Sequence, residues 1–185
     1  TVMNKIKPST HVDVLIIYQD KESIKHVIAQ LQDIAVSFKA LIFDHNHVSD
    51  ILALKPKLIL LSSNNIMNTI KFYIEFLEKY EEKINAHGAI LLINNKEAPK
   101  AFLACQQGLF YDYVIVNPMI EPYRLKLLLQ QTLHLTKAVD NEQINELLAA
   151  CDDELANCIA YGADLKSQLN TQMNDCAHSI TSATN

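Results

Sequence analysis

Glycine is scarce in this chain. Only Gly88, Gly108 and Gly162 occur in 185 residues. No two of them are close enough to build a phosphate-cradling loop of either common spacing. That weighs against nucleotide-binding enzymes of the P-loop and dinucleotide types. Arginine is scarcer still, with Arg124 alone. Duplex readout leans on arginine, so nucleic acid is not an expected partner. No stretch approaches the ~20 apolar residues of a membrane-spanning helix, and no export signal is visible ahead of the first short apolar run. Cys105, Cys151, Cys158 and Cys176 form no C-x-x-C pair. Scattered cysteines in a chain of this kind stay reduced, and the expected location is the cytoplasm.

Carboxylates are missing where they would matter most. Five short apolar runs punctuate the first two thirds: Val14–Ile17, Ala40–Phe43, Leu58–Leu61, Ala89–Ile93 and Val114–Val116. Between them lie stretches of helical spacing. Continuous apolar strands alternating with helices predict a parallel sheet buried on both faces. Ligands in such folds sit at the carboxyl ends of the strands. Those ends read Tyr18-Gln19-Asp20, Asp44-His45-Asn46-His47, Ser62-Ser63-Asn64, Asn94-Asn95 and Asn117-Pro118. Amides and hydroxyls dominate them.

What is present is an ample core and an uneven charge. Apolar residues make up 49% of the chain, and the net charge is −5. Residues 1–137 hold fifteen Lys/Arg against thirteen Asp/Glu, while residues 138–185 hold one Lys against eight Asp/Glu. The expected organisation is a mobile lead-in over 1–11, an α/β domain over 12–137 and an acidic helical segment over 138–185. Within the domain, helix 1 follows Asp20 or Ser23 as cap, and a short helix 2 stops before Pro56. The stripe of a long helix 3 runs from Ile66 to Ile84, with His87-Gly88 as its C-cap. Helix 4 holds Pro99 in its first turn and ends at Gly108. Helix 5 runs from Glu121-Pro122 to about Thr136.

The acidic segment has a different period. Ile144, Leu148, Cys151, Leu155, Cys158, Gly162, Leu165 and Leu169 recur at alternating spacings of four and three, the pattern of a coiled-coil seam. Asp140 with Gln143 has the form of a capping box that would open this helix. The chain end from Ser179 is expected to fray. The seam predicts a homodimer.

The order of elements, Lys55-Pro56-Lys57-Leu58-Ile59-Leu60-Leu61-Ser62, Ala104-Cys105-Gln106-Gln107-Gly108 and Val116-Asn117-Pro118 together resemble the receiver domain of two-component response regulators. The resemblance covers about residues 12–136. It implies an α/β fold: a (βα)5, doubly wound, parallel five-stranded sheet of the flavodoxin-like receiver type, here followed by a long C-terminal helix. It also implies a cis bond at Asn117-Pro118. Receivers need an Asp that takes a phosphoryl group from a partner histidine, two acidic residues that hold Mg²⁺, a Lys that neutralises the phosphoryl charge, and a Ser/Thr that follows the phosphorylation state. In this chain the phosphoacceptor position is Ser62, the Lys position is Asn117 and the Ser/Thr position falls at Asn94. The acidic pair aligns with Gln19-Asp20, or with Tyr18-Gln19. A serine hydroxyl cannot replace the carboxylate without a base, so the chain resembles a degenerate pseudo-receiver.

The expectation is therefore a phosphorylation-independent signalling module, not an enzyme, with no cofactor and no metal. It acts through a protein partner (a kinase, an output domain or itself) and through a dimer seam of Ile144, Leu148, Cys151, Leu155, Cys158, Leu165 and Leu169. The face of helix 4, strand 5 and helix 5 is the expected docking surface. Phe110, Tyr111 and Tyr113 fit either that surface or ordinary core packing. The alternatives are a small-ligand sensor using Gln19, Asp20, Ser62, Asn94 and Asn117, or an atypical phosphorylated receiver. The domain also suits the regulatory part of a longer protein bearing a cyclic-dinucleotide synthase or histidine kinase module. His45 and His47 at spacing two lack a third metal ligand nearby in sequence and read as a surface loop.

Overall fold

The first part of the chain folds around a five-stranded parallel sheet. The computed structural model describes residues 11–34, 36–62, 64–134, 146–147 and 149–184. The strands are β1 (Val14–Tyr18), β2 (Phe38–Ile42), β3 (Leu58–Ser62), β4 (Gly88–Asn94) and β5 (Asp112–Asn117). Their order across the sheet is β2-β1-β3-β4-β5, and every pairing is parallel. The helices are α1 (Lys25–Asp33), α2 (Val48–Leu54), α3 (Ile66–Tyr80), α4 (Ala98–Gln106), α5 (Arg124–Thr132) and α6 (Asp153–Thr184). This is the flavodoxin-like, receiver-type arrangement. The chain divides into two units, residues 1–139 and 140–185.

The strands carry no polar-apolar alternation because both faces are covered. Leu15, Ile17, Ile59, Leu61, Leu91 and Ile93 pack under α2, α3 and α4 with Phe72, Phe76 and Ala101. Val14, Ile16, Leu58, Leu60, Ile90 and Leu92 pack under α1 and α5 with Val27, Leu31, Leu125 and Leu128. Two glycine positions are constrained. Gly108 has φ +85, the left-handed region that ends α4. At Gly88 an added Cβ would stand 3.0 Å from the Leu58 Cδ1 methyl, so a larger residue there would push that side chain aside. The Asn117-Pro118 bond is cis, as the resemblance implies.

Three boundaries differ from the sequence expectations. α3 ends at Tyr80, not at His87. The segment beyond it is tied elsewhere: Asn85 Nδ2 donates to Pro56 O (2.8 Å), and His87 bonds Tyr73. α5 spans only Arg124–Thr132, because Glu121 accepts hydrogen bonds from the backbone N–H of Tyr123 and Arg124 and sets the start there.

The third difference concerns the seam. Ile144, Leu148, Asp140 and Gln143 lie outside the described residues. Cys151 lies in a bend ahead of α6, so the expected unbroken heptad helix through Cys151 is corrected. The cause is Asp152. Its Oδ1 accepts from Leu155 N at 2.8 Å and its carbonyl from Ala156 N at 3.2 Å. That is an N-cap, and it starts a new helix rather than continuing one. Leu155, Cys158, Leu165 and Leu169 all lie on α6. α6 also continues to Thr184, past the expected fraying point. No helix among the described residues is long and apolar enough to cross a membrane.

A buried relay links α3 to the start of β4. Tyr73 Oη lies 2.7 Å from His87 Nε2, and His87 Nδ1 lies 2.9 Å from Asn85 O. A carbonyl only accepts, so Nδ1 carries the proton and Nε2 accepts from the tyrosine hydroxyl. Burial pushes Tyr73 up to about 12. Tyr73→Phe leaves His87 Nε2 without its donor and is expected to cost about 1 kcal/mol in urea unfolding at neutral pH. The raised folded value also means that Tyr73 disfavours the native state as pH rises above about 10. The wild type should lose stability there, and the Phe variant should lose less of it.

Candidate functional site

The strand ends are assembled by helix caps. A parallel sheet sends each strand into a crossover, and each following turn starts with backbone N–H groups that lack partners. In this chain polar side chains at the strand ends supply them. Asp20 Oδ1 accepts from Glu22 N (3.2 Å), Asp44 Oδ1 from Asn46 N (3.0 Å), Asn65 Oδ1 from Asn68 N (3.2 Å) and Asn94 Oδ1 from Lys96 N (3.0 Å). Glu121 does the same after β5 with both oxygens, at 2.9 Å and 2.7 Å. At each strand-to-helix crossing a side-chain oxygen therefore caps the following turn.

Ser62 closes β3 and is 4% exposed. Its hydroxyl lies 3.3 Å from the Ser23 hydroxyl, and Ser23 Oγ donates to Asp20 O at 2.6 Å. Asn94 and Asn117 are partnered across β4 and β5 at a register shift that begins after Ile93. Gln19 is half-buried, and Asp20 and Asn117 are exposed. The structure thus brings Ser62 to Ser23 and Asn94 to Asn117. It turns the Asp20 carboxylate onto its own helical turn. Ser23 was legible only as a helix cap; its contact with Ser62 arises from the fold. Among the described residues, no three His, Cys, Asp or Glu side chains gather as a metal site.

The His45-Asn46-His47 loop is a capped turn. The Asn46 backbone N–H holds the Asp44 carboxyl below its ordinary value, helped by the Asn46 side chain and by His47 and His45, against partial desolvation. His47 Nδ1 meets Asp50 Oδ2 at 3.3 Å. On the other side of the sheet's end, burial first and then the Asp112 carboxylate push the Cys105 thiol up. That favours the neutral thiol over the thiolate.

A second surface stands out for apolar exposure. Of the ten exposed large apolar residues among the described residues of the first unit, seven lie between positions 102 and 127: Phe102, Leu103, Tyr111, Ile115, Met119, Tyr123 and Leu127. All belong to α4, β5, α5 and the connections between them. The aromatic cluster before β5 splits. Phe110 is buried against Tyr73 with ring centroids 5.1 Å apart, Tyr113 is partly buried, and Tyr111 is 62% exposed.

No protein-family model and no curated protein matches the chain. Among solved structures, the chain is similar to the N-terminal signal receiver domain of a two-component response regulator from Bacteroides fragilis. Identity is 18%, the TM-score is 0.48, and 64% of this chain and 94% of that one are covered. It is also similar to the pseudo-receiver domain of the CikA protein, at 16% identity and TM-score 0.46 over 68% and 98% of the two chains. A third similar structure is described as adenylate cyclase from Rhodopirellula baltica, at 11% identity and TM-score 0.49 over 76% and 99%.

The geometry at Ser62 gives a direct test. Incubation with a small phosphodonor and Mg²⁺ should leave the intact mass unchanged. Ser62→Asp should leave it unchanged too, because Asn117 is a neutral amide where the resemblance implies a lysine, and Asp20 Oδ1 accepts from Glu22 N in its own turn. An acid-labile gain of one phosphoryl group in the wild type would show that the site is competent after all.

Proposed function

We propose that this chain is a regulatory module of receiver type that works without phosphoryl transfer, by holding protein partners, and that it is not an enzyme. The observation that carries this is the pairing of a neutral, self-satisfied strand-end site with an apolar α4–β5–α5 face. Phosphoryl chemistry needs charge to converge on one point. Acid–base catalysis needs a base within reach of a nucleophile. Ser62 has a second hydroxyl beside it, not a base. Protein recognition needs neither, and a surface on which large apolar side chains concentrate is the ordinary mark of a contact site.

The second unit supplies a route to self-association. Leu155, Leu165 and Leu169 are each about half exposed on α6, and Ile159 and Tyr161 widen their stripe. Leu155, Gly162 and Leu169 fall seven apart, as do Cys158 and Leu165. A stripe of this kind is stable in water when a second helix covers it. In our reading the second helix is α6 of another copy, and the seam starts at Leu155 rather than Ile144.

Light scattering should give a dimer for the full chain and a monomer, or a much weaker dimer, once residues 140–185 are removed. Leu155→Asp refines the test. In a dimer it places two carboxylates in an apolar seam, at a cost of several kcal/mol. Self-association should be lost while the first unit melts as before. Unfolding of the whole variant would instead make α6 a structural part of its own domain and end the dimer reading.

A further inference from the structure

We draw no further inference here: the strongest candidate, the cavity of about 110 Å³ where the start of α2 meets α3, lined by His45, Val48, Phe72, Phe76 and Tyr80, carries nothing, because its charged rim of Glu75 and Lys79 is the exposed face of a helix and nothing in the structure shows what would occupy it.

Discussion

Burial of the central strand on both faces is the constraint on which the rest of this molecule depends. Leu58 to Leu61 are within 1% of full burial, and Ser62 follows them into the same environment. A carboxylate at that position would have to be offset by cations, because an unpaired charge in a buried site costs far more than a neutral hydroxyl. The charges of a phosphoacceptor site therefore come and go as a set. With Ser62 at the end of β3, no charge is buried there. Asn117 and Gln19 fit the neutral strand end that results.

The polar residues that remain around the strand ends are explained by the backbone. Asp20, Asp44, Asn65, Asn94 and Glu121 each take up N–H groups at the start of the next helical turn. Their spacing along the sequence makes them look like a ligand set. Their hydrogen bonds make them five separate local devices. The large exposed apolar residues concentrate elsewhere, on α4, β5 and α5, and the single arginine holds Asp112 at the rim of that surface.

The sheet was legible in the sequence because each strand is a continuous apolar run, which in a parallel sheet is a direct consequence of two-sided covering. Strand order followed from the resemblance to receivers. Helix ends were harder. The apolar stripe of α3 continues to Ile84, and a backbone turn closed by Ile84 N–H to Tyr80 O at 2.9 Å carries the chain past the helix end at Tyr80 before Asn85 bonds Pro56 and His87 bonds Tyr73. The continuous helix expected through Cys151 is interrupted there: heptad spacing records which residues are apolar, and Asp152 caps the helix that begins after it. Ser23 could not be assigned to Ser62 at all, because 39 residues separate them and only the β1–β3 pairing brings the two segments together.

The interruption at Cys151 and Asp152 bears on how one half of the chain can influence the other. A continuous helix is a torsion rod: rotation at one end appears at the far end with its phase preserved. The cap at Asp152 begins a new rod, whose azimuth is set by Asp152 and not by the residues before it. Torque applied upstream is dissipated at the break. What does survive such a joint is proximity, because tethering fixes an effective concentration whatever the angle between the tethered parts.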